Sequence, residues 1–221
     1  MNINYEFKNK KLLDIALTHI SLANEKNIES NQRLEFLGDS ILSFVVAEYI
    51  YGEKTDFDEG LLTKIRAASV CEKSLSKAAE KMGLGNAVKF GKSESGTGAN
   101  KPSILCDTYE AVLGAIYLDS DIETAKKWIM DNLKDTINSA GNMDFHDYKS
   151  ELQSYYQKRD KGVEVVSYSL VEKKGPDHKP IFSVNAVYKG SVIGFGTGHS
   201  RKAAEQEAAK SAFCKIEGTK K

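Results

Sequence analysis

The 221-residue sequence predicts an all-helical domain over residues 1–138, then a small α-β-β-β-α domain over 147–218, with a linker at 139–146 between them. Three observations lead there. Apolar residues recur three and four apart as far as about residue 137, the period of a buried helix face. Between 181 and 188 the period becomes two, the mark of a strand with one buried face. Charge changes sign along the chain: 14 Lys and Arg against 9 Asp and Glu follow Phe145, and 17 against 22 precede it.

The first helical stripe is Leu12, Leu13, Ala16 and Leu17, and a longer one joins Leu34, Leu37, Ile41, Leu42 and Val45. Leu61, Leu62, Ile65 and Ala68 make a third, followed by Leu75, Ala78, Ala79 and Met82. The most apolar stripe runs from Ile104 through Val112 and Leu113 to Tyr117, and a last one contains Ala125, Trp128, Ile129 and Leu133. Loops are expected near 24–30, 52–59 and 91–101. The small polar run Ser139-Ala-Gly-Asn-Met-Asp144 ends the periodicity and reads as the linker.

Beyond it a helix is expected over 147–158 and strands over 163–170, 181–188 and 191–196. In the central strand Phe182, Val184, Ala186 and Tyr188 face one side, and Lys189-Gly190 makes a tight turn after it. The last helix follows Ser200 and buries Ala204, Ala208, Ala212 and Ile216.

Composition removes several classes. With 28% charged and 41% hydrophobic residues the chain is globular. Cys71, Cys106 and Cys214 are an odd number without C-x-x-C spacing, so no disulfide framework or zinc site is expected. The start lacks an apolar signal core, and no run approaches the roughly 20 apolar residues of a membrane span. A cytoplasmic protein is expected, without membrane contact or small-molecule cofactor. Gly91-Lys92-Ser93 is not a phosphate-binding loop, because Asn86 stands where the earlier glycine is required. His19 is read as structural.

The chemistry sits on two apolar helices. Glu35 and Asp39 are four residues apart, Asp107 and Glu110 three apart, so each pair shares a helix face. Like charges about 4 Å apart cost about 4 kcal/mol per pair at an effective dielectric of about 20. Gly38 and Gly114 lie inside these helices, where glycine costs about 1 kcal/mol against alanine and signals close backbone approach. The expectation is that the helices meet at these glycines and the four acids gather around a hard divalent cation, Mg²⁺ or Mn²⁺. The implied chemistry is metal-assisted hydrolysis of a phosphate ester. The plainer alternative is that Glu35 and Asp107 cap helices or form salt bridges within the core, to Arg33, Lys64 or Arg66.

In the last helix, Arg201 and Lys202 follow the N-cap candidate Ser200, placing two cations where the helix dipole disfavours them unless an anion binds there.

Asn31-Gln-Arg-Leu-Glu-Phe-Leu-Gly-Asp-Ser40 resembles the signature of bacterial ribonuclease III. Ala16-Leu-Thr-His19, Asp58-Glu-Gly60, Thr63-Lys-Ile-Arg66 and Pro102-Ser-Ile-Leu-Cys-Asp-Thr-Tyr-Glu-Ala111 support the likeness. The C-terminal part resembles a double-stranded-RNA-binding domain through Tyr148-Lys-Ser-Glu-Leu-Gln153, Gly175-Pro-Asp-His178 and the run from Gly196 to Ala209. The resemblance implies that Glu35, Asp39, Asp107 and Glu110 are metal ligands, with Asp39 and Glu110 catalytic and Glu59 and Glu94 accessory. It implies RNA contacts from Gln153, Gln157, His178, Ser200, Arg201 and Lys202, and a homodimer with Phe36 at its interface. It also implies cleavage of both strands of duplex RNA to 5′-phosphate and 3′-hydroxyl ends with short 3′ overhangs, in rRNA, mRNA and small-RNA processing. Where the family usually has Glu before the signature Arg, this chain has Gln32. The competing expectation is a duplex-RNA-binding regulator that does not cleave and uses its helical domain to dimerise.

Overall fold

The computed structural model describes residues 1–96, 98–143, 145–160, 165–176 and 179–218. They fall into two compact units, Met1–Asp144 and Phe145–Lys221. The order of an all-helical domain and an α-β-β-β-α domain is as expected.

The first unit contains α1 (Lys10–Ala16), α2 (Ile20–Lys26), α3 (Gln32–Glu53), α4 (Glu59–Ser69), α5 (Glu72–Met82), α6 (Pro102–Asp119) and α7 (Ile122–Gly141). Side-chain caps set several starts: Asp58 accepts from Leu61 N and Asp121 from Thr124 N, each at 2.8 Å, and Pro102 opens α6. Helix α6 is the centre. Ile104, Leu105, Tyr109, Val112, Leu113 and Ile116 are all buried, and the helix packs on α1, α3, α5 and α7. A helix so largely apolar belongs inside, with its acids Asp107 and Glu110 only half-buried. Its partner over the largest contact is α3.

The N-terminal segment is tied down by polar contacts. Trp128 Nε1 donates to the Ile3 carbonyl at 2.7 Å, and Asp119 accepts from Tyr5 Oη and the Lys8 and Asn9 amides at 2.8 Å each. Helix α7 continues to Gly141, so the first three residues of the segment expected as linker are helical. Ala140 explains this, since it is buried and gives the last turn an apolar contact.

The second unit contains α8 (Tyr148–Asp160), β1 (Ser167–Lys174), β2 (Ile181–Tyr188), β3 (Ser191–Gly198) and α9 (Arg201–Gly218). The sheet is antiparallel in the order β1-β2-β3. Val184, Ala186 and Tyr188 on β2 join Leu152 and Tyr156 of α8 and Ala204, Ala208 and Ala212 of α9 in one core. Lys189 and Gly190 have φ of 48° and 74° and connect the paired residues Tyr188 and Ser191, a two-residue turn of the kind that matches strand twist. β1 starts at Ser167 and runs four residues past the expected end at 170, and residues 163 and 164 of the expected strand lie outside the described residues. It is an edge strand, exposed except at Tyr168 and bulged between Leu170 and Glu172, so its residues carry no alternation.

Candidate active site

Helices α3 and α6 touch backbone to backbone. A β-carbon added at Gly38 would lie 1.8 Å from the Glu110 carbonyl oxygen, and one added at Gly114 would lie 2.3 Å from the Leu34 carbonyl oxygen. No other residue type fits either crossing without moving a helix. The contact puts Glu35 and Asp39, which flank Gly38 on α3, beside Asp107 and Glu110 on α6.

The electrostatics show that these acids feel one another. Glu110, half-buried, has its carboxyl pushed up to about 8, first by burial and then by Asp39, Glu35 and Asp107. Burial raises Glu35, with Asp107 and Asp39 adding to it. Burial also raises Asp107, and Glu72 adds to this while the charge of His19 opposes it. Asp39 is exposed, so burial extends to three of the four acids. That exposure follows from its place on the outer edge of the α3 face, one residue past the crossing. Among the described residues none of the four forms an ion pair, so Arg33, Lys64 and Arg66 do not neutralise them. Unpaired, half-buried carboxylates raise one another's pKa and are relieved by a cation. Carboxylate oxygens suit a hard divalent ion, and of the four acids Asp107 and Glu110 belong to the group whose ligand atoms lie in mutual reach.

Cys106, Asp107 and Glu110 each bring one ligand atom within 4.8 Å of the others. Cys106 Sγ lies 3.9 Å from Glu110 Oε1, and burial beside these acids pushes its thiol up. The cysteine spacing gave Cys106 no metal role, although its i, i+4 relation to Glu110 is visible in the sequence. Glu72, the first residue of α5, and His19, which caps α2 by accepting from Ser21 N at 3.2 Å, also act on the site. Nothing in the local pattern of either points there, because each arrives by tertiary packing.

Glu59 and Glu94, expected as accessory acids, are not among the groups that shift the buried carboxyls. Glu59 opens α4, accepts from Thr63 Oγ1 at 3.2 Å and lines a hollow of about 660 Å³ with Phe44, Tyr51 and Phe57. Glu94 accepts from Lys101 Nζ at 2.7 Å, and that bond holds its carboxyl below the usual range. Phe36 is 77% exposed and, with Gln32, Leu12, Ile15 and Leu118, lines a hollow of about 750 Å³. Phe36, Phe44 and Tyr51 recur along one side of α3, and all three are exposed.

In the second unit Ser200 caps α9, accepting from Ala203 N at 3.1 Å. Arg201, Lys202 and Gln157 are exposed. Gln153 is half-buried instead: its Oε1 accepts from Val166 N at 2.7 Å, so it also anchors the approach to β1. His178 lies outside the described residues.

Residues 9–137 match the family described as ribonuclease-III-like, and residues 148–216 match the double-stranded RNA binding motif. Ribonuclease 3 of Desulforamulus reducens is 43% identical over 222 residues, covering 98% of this chain and 89% of the relative. Ribonuclease 3 of Syntrophomonas wolfei is 45% identical, with coverage of 92% and 87%. The chain belongs to the ribonuclease III family. The crystal structure of the ribonuclease III nuclease domain from Campylobacter jejuni is similar, with a TM-score of 0.57 and 42% identity over 61% of this chain and 90% of that one. A second structure of that nuclease domain, concerned with flexibility in the region involved in dimer formation, gives a TM-score of 0.55 at 43% identity, covering 60% of this chain and 94% of that one. Among the described residues of this ribonuclease III chain, no helix is long and apolar enough to cross a membrane.

Proposed function

We propose that the protein is a cytoplasmic endoribonuclease that hydrolyses both strands of double-stranded RNA with Mg²⁺, for which Mn²⁺ can substitute. The products carry 5′-phosphate and 3′-hydroxyl ends with short 3′ overhangs, and the substrates are precursors of rRNA, mRNA and small RNAs. The convergence of unpaired carboxylates on the α3–α6 contact carries this reading.

Glu35, Asp39, Asp107 and Glu110 would hold the divalent ion. When bound, it lowers the pKa of the attacking water and offsets charge on the leaving oxygen. The protein supplies position. The Glu110 backbone is pressed against Gly38, which holds the base of its side chain beside α3, and Asp39, the exposed member, faces outward to the RNA. Cutting belongs to residues 1–138 and capture to 147–218, where Arg201 and Lys202 at the start of α9 meet backbone phosphates. Two copies pair through the exposed side of α3, with Phe36 entering the hollow beside it on the other copy.

Purified protein should shorten long duplex RNA in Mg²⁺, not in EDTA, and leave the matched DNA duplex intact. Binding without cutting at every Mg²⁺ concentration would instead make it a duplex-RNA-binding regulator.

A further inference from the structure

Arg201 occupies the first position of α9, one turn before Glu205, and its Nε donates to Glu205 Oε1 at 3.0 Å. The other carboxylate oxygen of Glu205 accepts from Lys149 Nζ at 2.6 Å, and Lys149 lies in the first turn of α8. One acid thus joins the starts of two helices. Its side chain is 14% exposed, against 61% for Arg201 and 31% for Lys149. Lys149 is held a second time by the Tyr168 ring, whose centroid is 4.7 Å from Nζ. Its backbone amide donates to Gln206 Oε1 at 3.3 Å, and Gln206 Nε2 donates to Asp147 Oδ1 at 2.9 Å. The hydrogen bond from Lys149, opposed by burial and helped by Arg201, keeps the Glu205 carboxyl below its ordinary range.

An exposed ion pair alone contributes little. The atoms used matter more. Arg201 is held through Nε, the inner nitrogen, so its two terminal nitrogens have no partner among the described residues. Those nitrogens make the end-on fork that fits a phosphate. An arginine free to swing would lose more rotamer freedom on binding, and the helix dipole opposes a cation at this position.

We propose that Glu205 is a positioning residue for duplex RNA: fixed by Lys149, it aims the Arg201 guanidinium at a backbone phosphate before the RNA arrives. This rests on the reading of the α9 start as a phosphate contact. The inference opposes simple charge counting. Removing Glu205 raises the net charge of an RNA-binding domain by one, which by long-range attraction alone would tighten binding.

The test measures affinity of the full chain for a duplex RNA in EDTA, by fluorescence anisotropy over a salt series. Glu205→Ala should weaken binding about 3–10-fold and flatten the log–log salt slope by up to about 0.9, one phosphate contact. Glu205→Gln, which keeps an oxygen for one of the two bonds, should recover part of the loss. Arg201→Ala should weaken binding, and Arg201→Ala with Glu205→Ala should be no weaker than Arg201→Ala alone. Thermal melts establish that each variant is folded, and Glu205→Gln alone decides if the alanine variant is not. Unchanged or tighter binding by the Glu205 variants, with Arg201→Ala weakened, overturns the positioning role and leaves the phosphate contact standing. Additive losses in the double variant overturn it as well. An Arg201→Ala variant that binds like the parent removes the contact and the inference together.

Discussion

The backbone of α3 at Gly38 is so close to Glu110 on α6 that a methyl carbon there would fall 1.8 Å from the Glu110 carbonyl oxygen. One position therefore sets both the helix crossing and the spacing of the acids on either side of it. Gly38→Ala should gain about 1 kcal/mol in helix propensity and lose more, because overpacking costs about 1–3 kcal/mol and the clashing atom is backbone. Gly52, on the same helix, has nothing within 4 Å of its would-be β-carbon. Gly52→Ala should thus be neutral or raise the melting temperature, while Gly38→Ala lowers it and abolishes cleavage. Equal melting temperatures for the two variants would mean that the crossing tolerates a side chain.

Removing charge from the acids should separate chemistry from capture. Asp39→Asn and Glu110→Gln should each abolish cleavage in a gel assay and leave duplex binding within a few-fold. Full activity in either variant would exclude that residue from the metal site.

The raised carboxyls also predict how the metal-free protein responds to pH. Glu110 titrates at about 8 when folded and near 4.5 ordinarily, so the folded state holds its proton more tightly. The associated stability is complete below the ordinary value and is lost as pH rises through about 8. Glu35 and Asp107 are shifted in the same direction. In EDTA the melting temperature of the parent should fall from pH 5 to 8 more steeply than that of Glu110→Gln, and Mg²⁺ should remove the difference at the upper end. Parallel pH profiles in calorimetry would show that Glu110 is not strained.

The acids were legible because helical spacing puts Glu35 with Asp39 and Asp107 with Glu110, and the two interior glycines announced which helices meet. Cys106 was equally visible at i, i+4 from Glu110, but a thiol without a metal spacing motif drew no attention. Glu72 and His19 could not be found this way, since their approach to Asp107 is made by the packing of α5 and α2 and leaves no periodic trace. Strand β2 was readable because one face is buried, whereas β1, bulged and exposed on a sheet edge, has no alternation to read. Helix α7 outran its expected end because one buried alanine, Ala140, outweighed a polar local sequence. Burial of Gln153 was likewise hidden, as its bond to Val166, thirteen residues on, is a contact that helical periodicity does not encode.

Phe36 leaves 77% of its surface in solvent beside a hollow of about 750 Å³, an arrangement in which two copies can exchange rings. Phe36→Ala should weaken self-association by about 30-fold, the effect of about 2 kcal/mol at a buried aromatic anchor. Sedimentation velocity over a concentration series reads this directly. An unchanged monomer–dimer equilibrium would move the interface off this part of α3.

The two compact units make the division of labour separable by truncation. A protein ending at Asn142, the cap of α7, keeps all four acids and Phe36 and loses the domain with the cationic surplus. What remains has 17 basic residues against 21 acidic ones, so it repels a polyanion at long range and must depend on close contacts. Losing three or four phosphate contacts should flatten the log–log salt slope by roughly 3–4 units, since each contributes about 0.9 on B-form duplex. The truncated protein should therefore cut long duplex RNA at low salt with Mg²⁺, at the parent's sites, and lose activity near physiological salt. Restoring activity there by raising protein concentration would place the defect in capture. A truncated protein that is folded and dimeric yet inactive at every salt concentration would place part of the catalytic centre in the second unit, and cutting and capture would no longer be separate tasks.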